Sequence, residues 1–388
     1  MTATSTDTNT DTNTDTNATA TAKNQNQNHN SNKNNNNNNN STIPIIYLND
    51  PDEAATVAKL RQCCLEHGFF YLGGHEMEDI IPRMFDQSKK LFDMPTAEKL
   101  KLYDQKMSRG YTAIQSETLD PVLSKQGDSK EGFYIGNHIP QDDPRYNPAK
   151  LKGPNVWPTE ENCSMEDPTQ FVNTMNEYHR RASAVGLKVV QLLALAVGLP
   201  HPQDLDHNFT EQWATTRLLK YAATRSEPTE GLFACGAHSD YGMITLLLTD
   251  ENPGLQLLLL SKDDDEDEDN GSDNGNDDGG GDDGSDDGGK NSKWIDVLPQ
   301  KDLYVVNLGD MLERWTNGMF KSTVHRVVTT GDKDRYSIPF FFEPDFDANV
   351  TCLPVCCSEQ NPAKYPPTTA GQHILDKYHQ TMKDRKSD

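Results

Sequence analysis

The residues best suited to chemistry lie in Gly236-Ala237-His238-Ser239-Asp240-Tyr241-Gly242, directly ahead of the apolar run Met243-Ile244-Thr245-Leu246-Leu247-Leu248. At the entrance to a strand, residues i and i+2 share a face, so His238 and Asp240 can offer an imidazole and a carboxylate to one metal ion while Ser239 points away. A third ligand is available in His325, within the strand-like run Ser322-Thr323-Val324-His325-Arg326-Val327-Val328. Two histidines and one carboxylate on one face of an ion leave three positions open, the arrangement for a non-haem Fe(II) that must bind a co-substrate and O2. Ten residues after His325 comes Arg335-Tyr336-Ser337, leading into Ile338-Pro339-Phe340-Phe341-Phe342. The planar guanidinium fork donates two parallel hydrogen bonds to a carboxylate, which Lys cannot reproduce. A dicarboxylate co-substrate could chelate the iron at one end and be held by Arg335 and Ser337 at the other.

Each piece alone is unspecific. With 11 His in the chain, a His-x-Asp triplet arises readily by chance, and Arg-x-Ser is no rarer. His325 by itself reads as a core histidine on a sheet, and Arg335 as a surface charge or an ion-pair partner. The specific signal is their order: the triplet at a strand start, a His on a later strand, and Arg-x-Ser ten residues on, leading an aromatic strand.

These residues need a scaffold, and the periodicity supplies one. Ile43 to Leu48 is strand-like, and Asp50, Pro51 and Glu53 read as cap, first helical residue and capping box of a helix that runs to about His67. Gly68 stops it, and Phe69-Phe70-Tyr71-Leu72 reads as a second strand. Ile81, Met84, Phe85, Ser88, Leu91 and Phe92 recur at helical spacing, and a long amphipathic stripe spans Pro168 to Val197, ended by Gly198. Beyond it the period shortens to 2, or to short apolar runs, at Arg217–Tyr221, Met243–Thr249, Leu255–Leu260, Trp294–Leu298, Leu303–Leu308, Val324–Thr329 and Arg335–Phe342. Helices first and short strands afterwards predict an α+β fold: a double-stranded β-helix (jelly-roll) core with an N-terminal helical buttress.

The chain resembles the isopenicillin N synthase-like branch of the iron(II)/2-oxoglutarate dioxygenases over nearly all of residues 43–350. The resemblance is carried by Ile43-Pro44-Ile45-Ile46, Glu66-His67-Gly68-Phe69-Phe70, Arg109-Gly110-Tyr111, Lys130-Glu131-Gly132-Phe133-Tyr134-Ile135-Gly136, Gly236 to Thr245, Asn307-Leu308-Gly309-Asp310 and the His325/Arg335/Ser337 set. It implies an oxidoreductase in which His238, Asp240 and His325 bind Fe(II), while Arg335 and Ser337 bind the distal carboxylate of 2-oxoglutarate. It further implies O2-dependent hydroxylation, desaturation or cyclisation of a small organic molecule, with release of succinate and CO2. Tyr221 is implied as another co-substrate contact, although this chain has Lys220-Tyr221-Ala222-Ala223 where the family often has Tyr-Pro. Tyr111, Phe133 and Tyr134 read either as substrate-side residues or as core aromatics. Two alternatives stay open: an O2-dependent iron oxidase of the same fold that does without 2-oxoglutarate, and a non-catalytic interaction protein on this scaffold. The latter would be marked by a lost ligand, and all three are present.

Composition bounds the rest. Of the net charge of −24, roughly half falls between Lys262 and Lys293, which carries 14 acidic residues against three Lys. Residues 1–41, rich in Asn and Thr, and the acidic insertion 261–293 have nothing to bury against the entropy of ordering and are expected to be disordered. They leave an N-terminal dioxygenase region at 42–165 and a helix plus jelly-roll catalytic region at 166–388, interrupted by the insertion. Lys and Arg form no stripe, so no nucleic-acid partner is expected, and no apolar run is long enough for a membrane. Seven irregularly spaced Cys fit reduced thiols. A cytoplasmic monomer acting on a small molecule is the expectation; the substrate itself is not legible.

Overall fold

A computed structural model describes residues 43–211, 213–260 and 292–383. The Asn/Thr-rich tail and nearly all of the acidic insertion lie outside the described residues. In chain order, β1 (Ile45–Tyr47), α1 (Glu53–Glu66), β2 (Phe69–Gly73), α2 (Ile81–Asp93) and α3 (Thr96–Lys99) precede β3 (Tyr103–Asp104), β4 (Arg109–Thr112) and β5 (Lys130–Gly136). The long helix α4 (Pro168–Val197) leads to β6 (Ala214–Tyr221), β7 (Cys235–His238), β8 (Ile244–Thr249), β9 (Leu255–Leu260), β10 (Ser292–Val297) and β11 (Tyr304–Leu308). There follow α5 (Asp310–Trp315), β12 (His325–Val327), β13 (Arg335–Phe342), β14 (Asn349–Val350), β15 (Thr368–Thr369) and α6 (Ala370–Lys383).

Local chemistry sets the helix ends. Asp167 accepts the Gln170 amide at the start of α4, Pro168 fills the first turn, and Gly198 closes the helix at φ 105°. The cap of α1 differs from the expected one: Asp52, not Asp50, accepts the Ala55 amide (3.0 Å), while Asp50 accepts the amide of Asp52 itself. With Ala55 at the third helical position, no acid closes a capping box. Periodicity alone does not reveal β4 and β5, because both are Gly-interrupted and lack alternation.

Nine strands form one sheet in the order β1-β2-β11-β8-β13-β6-β5-β4-β3, and four form a second in the order β10-β9-β12-β7. This is the jelly-roll architecture with helices packed on one face. Alternation on the central strands divides labour between the two faces of the larger sheet. From β13, Tyr336, Ile338, Phe340 and Phe342 join the core that also buries Tyr178, Val185 and Val189 of α4. Arg335, Ser337, Pro339 and Phe341 instead face the cavity between the sheets. A smaller core of Leu219, Tyr221, Leu255, Leu257 and Val327 spans the two sheets beside it. Among the described residues, no helix is long and apolar enough to cross a membrane.

Phe340 is fully buried, with ring centroids 5.9 Å from Tyr178 and 5.3 Å from His179 of α4, so it couples the buttress to the strand that carries Arg335 and Ser337. Phe340→Ala is expected to lower unfolding free energy by about 3–5 kcal/mol, read from chemical denaturation.

Candidate metal centre

His238 and His325 face each other across the smaller sheet as a directly registered pair on β7 and β12, with ring centroids 4.3 Å apart. Each imidazole is oriented from behind. His238 Nδ1–H donates to the Gly236 carbonyl (2.8 Å) and His325 Nδ1–H to the Thr323 carbonyl (3.1 Å). A carbonyl only accepts, so both Nδ1 atoms carry a proton, and Nε2 is in each ring the atom left to ligate. Asp240 Oδ1 lies 3.8 Å from each Nε2, and the three candidate ligand atoms lie within 4.8 Å of one another.

The expected placement of the triplet needs correction. His238 ends β7 in the smaller sheet, and Ser239 to Met243 is the crossover into β8 of the larger one. Strand alternation therefore does not bring Asp240 to His238; tethers on the crossover do. Asp240 Oδ2 accepts from Thr245 Oγ1 (2.5 Å) and from Asn307 Nδ2 (2.7 Å), which leaves Oδ1 toward the imidazoles. The backbone is pinned as well: the carbonyls of Asp240, Gly242 and Met243 accept from the amides of Asp310, Met311 and Gly309, and the Tyr241 carbonyl accepts from His373 Nε2–H. Sequence reasoning misses Thr245, Asn307 and His373 as site residues. Of the three, Thr245 and Asn307 carry a signal, as parts of the segments Gly236 to Thr245 and Asn307-Leu308-Gly309-Asp310, and His373 carries none.

The electrostatics follow the geometry. Burial alone would raise the Asp240 carboxyl, but the two imidazoles and the Asn307 and Thr245 donors overrule it and hold it below its ordinary value. Burial, reinforced by His238, pushes His325 down to about 4, toward the neutral, ligating form.

Arg335, Ser337 and Tyr221 gather at one end of the cavity. Arg335 pairs directly across from Tyr221, and its guanidinium carbon lies 5.0 Å from that ring centroid. Arg335 is 2% exposed; Nε donates to the Asn252 carbonyl (3.2 Å), and Nη1 is buried with no partner. No carboxylate pairs with it among the described residues. Such an uncompensated buried cation is a socket for an anion. Phe133 and Tyr111 belong to the main core, Phe133 edge-on to Phe171 and Tyr111 donating to Glu131. Tyr134 packs on a second cavity arginine, Arg217.

Glu343, directly after β13, buries its carboxyl against Gly242, where any Cβ would overlap the Glu343 carboxylate. It accepts the Met243 amide (2.7 Å). Burial raises this acid to about 8, opposed by the Met243 amide and assisted by the Asp240 charge. The folded protein thus keeps a proton that the unfolded chain releases above its ordinary value of 4.5. Stability from this group is complete below that value and is lost as the pH rises toward 8. Glu343→Gln keeps the acceptor and cannot ionise, so the melting temperature of the variant should vary less than that of wild type between about pH 5 and about pH 8 in calorimetry of metal-free protein. Identical pH slopes would show that Glu343 does not hold the proton.

Two family models match the sequence: the non-haem dioxygenase in morphine synthesis N-terminal region over residues 43–160, and the 2OG-Fe(II) oxygenase superfamily over residues 274–344. The 2-oxoglutarate-Fe(II) type oxidoreductase hxnY of Emericella nidulans is 33% identical over 340 residues, covering 85% of each chain. Azadirone synthase LFS of Melia azedarach is 31% identical over 344 residues, covering 86% of this chain and 91% of its own. Among solved structures, a full-length Neurospora crassa protein in complex with alpha-KG and thymine superposes with a TM-score of 0.69 at 27% identity, covering 87% of this chain and 97% of that one. With this likeness along most of its length, the chain belongs to the 2-oxoglutarate-Fe(II) oxygenase family, as a dioxygenase that uses Fe(II), 2-oxoglutarate and O2.

Proposed function

We propose that His238, Asp240 and His325 hold the Fe(II), through Nε2, Oδ1 and Nε2, and that Arg335, Ser337 and Tyr221 receive the distal carboxylate of 2-oxoglutarate. The observation that carries this reading is the division of the Asp240 carboxylate: Oδ2 is saturated by two donors, while Oδ1 and the two Nε2 atoms lie within 4.8 Å of one another. One carboxylate oxygen and two neutral imidazole nitrogens form the donor set for a non-haem Fe(II) that keeps positions open. The unpaired Arg335 Nη1 fits the far end of a dicarboxylate.

When bound, the iron with 2-oxoglutarate and O2 supplies oxidative decarboxylation of the co-substrate to succinate and CO2, coupled to oxidation of a small organic molecule. The chain's own residues do the orienting. The Gly236 and Thr323 carbonyls fix both imidazole tautomers, and Thr245 and Asn307 decide which oxygen of Asp240 is free. Arg335 and Ser337 set the reach of the co-substrate toward the triad from the same face of β13. Phe69, Leu247, Leu255 and Val327 line the cavity and exclude water from it. The support for a small organic substrate is the company the chain keeps, with the Neurospora crassa relative solved with thymine and LFS of Melia azedarach named for azadirone synthesis. Seven free thiols support a reducing compartment, the cytoplasm, as the place of action.

Anaerobic protein given Fe(II) and 2-oxoglutarate should develop the weak visible charge-transfer band of the chelate, and Arg335→Ala should weaken 2-oxoglutarate binding in a titration of that band. Iron binding without a band would remove 2-oxoglutarate from the site. Asn307→Ala, which leaves Asp240 Oδ2 with the Thr245 donor alone, should weaken iron binding by about 10- to 100-fold in competition with a chelator. An unchanged affinity would sink the proposed role of Oδ1 as the sole ligand oxygen.

A further inference from the structure

The cavity wall carries a second arginine whose surroundings differ from those of Arg335. Arg217 lies on β6 four residues before Tyr221, the residue registered against Arg335, so both guanidinium groups rise from the same face of the larger sheet. At about 3.3 Å per residue, roughly 13 Å of strand separates their rows. Arg217 is 7% exposed and lines the cavity with the metal triad. Among the described residues its five donors form one hydrogen bond, from Nη2 to Glu117 Oε2 (2.6 Å), and Nε is buried without a partner. The Tyr134 ring supports the guanidinium, 4.2 Å from its carbon, and donates its hydroxyl to Glu117 (3.2 Å). Gly132 backs it closely, since a Cβ there would fall 3.1 Å from Nε.

Arg217 is also neutralised, which Arg335 is not. Lys130, 3% exposed, pairs with Asp128 and lies 3.7 Å from Glu117. Two cations and two carboxylates therefore form a quartet with no net charge. Burial would raise the Glu117 carboxyl, yet Arg217 and Lys130 override it and hold the group at about 2, so Glu117 cannot shed its charge to admit an anion.

We propose that Arg217 is the residue that reads the substrate, and that the substrate is a neutral small molecule presenting a carbonyl or ring-nitrogen acceptor rather than a carboxylate. The inference rests on the assignment of iron to the triad and of 2-oxoglutarate to Arg335. A neutral acceptor would satisfy the idle donors of a buried guanidinium, which otherwise carry a desolvation cost without return. An anion would leave one unbalanced negative charge in a desolvated cluster, the situation proteins avoid by neutralising the group or refusing the ligand. The two arginines thus discriminate by charge although their side chains are identical.

The test uses matched probe pairs, each one scaffold as its primary amide and as its acid, such as benzamide with benzoate and cyclohexanecarboxamide with cyclohexanecarboxylate. Full-length protein loaded anaerobically with Fe(II) and 2-oxoglutarate is titrated by calorimetry while the visible chelate band is monitored. Amides are expected to bind at least about tenfold tighter than their acids, since a site built for one hydrogen-bonding pattern rejects the other. Glu117→Gln removes one negative charge from the quartet and should shift the acid-to-amide ratio toward the acid by about tenfold or more. Glu117→Gln combined with Arg217→Gln should lose amide binding and keep the chelate band, which guards against misfolding. Acids binding as tightly as amides, no amide binding at all, or a ratio unmoved by Glu117→Gln would each overturn the proposal. No chelate band in wild type would instead overturn the assignment of the metal site on which the proposal stands.

Discussion

Asp240 sits on one of the crossovers that join the two sheets of the barrel, and the geometry of the centre depends on how its carboxylate is shared. A buried carboxylate with free rotation about its terminal torsion could present either oxygen, and could also take a proton. Thr245 and Asn307 remove both freedoms at once: they fill Oδ2 and stabilise the anion. Their positions are not independent of the fold. Thr245 is on β8 and Asn307 on β11, and the two residues are directly registered neighbours in the larger sheet. The sheet ladder itself therefore sets the spacing of the two donors that grip Asp240. Immediately after Asn307, the chain turns at Gly309, where a Cβ would overlap the Gly242 carbonyl. That close approach lets the first amides of α5 bond the crossover backbone. Glycine is required there for proximity rather than for an unusual φ.

The larger sheet lets one sequence segment serve stability and chemistry together. Along β13, alternate residues enter the helix-backed core and the cavity, so the aromatic character of Arg335–Phe342 is a packing signal and its polar residues are a binding signal. Pro339 would be expected on an edge, because it gives no amide to a ladder. It lies instead in an interior strand, and the pairing with β6 passes over Ile338 and Pro339 while that with β8 continues. The unpaired stretch falls opposite Leu218 and Arg217, beside the second cavity arginine.

Much of this was legible in the sequence because the chemistry is local. His238, Asp240 and His325 are read from their order ahead of Arg335 and Ser337, whose two-residue spacing survives in the strand. The scaffold helix α4 was legible from its long stripe and glycine stop. What the sequence hid were relations between distant segments. His238 and Asp240 look like two steps along one strand, but they belong to a strand end and a crossover, since the turn between sheets has no period to reveal it. Arg217 reads as an ordinary strand charge until β5 is placed beside β6 and a loop brings Glu117 to it, 100 residues away in the chain. Strands as irregular as β4 and β5, with Gly110 and Gly132 inside them, give no alternation to read, although both glycines are positions where the three-dimensional neighbours leave no space for a Cβ.

Charge balance connects the two ends of the cavity. On the proposed assignment, the two positive charges of Fe(II) and that of Arg335 are met by the Asp240 carboxylate and the two carboxylates of 2-oxoglutarate, so the co-substrate end closes at neutrality only when both groups are bound. The quartet of Arg217, Lys130, Glu117 and Asp128 is neutral already. A buried space whose halves balance separately has a physical reason to distinguish its ligands: the dianion lowers the energy of the end with an uncompensated cation and raises that of the other. Because Arg335 has no ion-paired carboxylate among the described residues while Arg217 has Glu117 at 2.6 Å, the proposed assignment has the protein set the direction of 2-oxoglutarate before any substrate arrives. Orientation of the co-substrate and selection against charged substrates are then two consequences of one distribution of carboxylates.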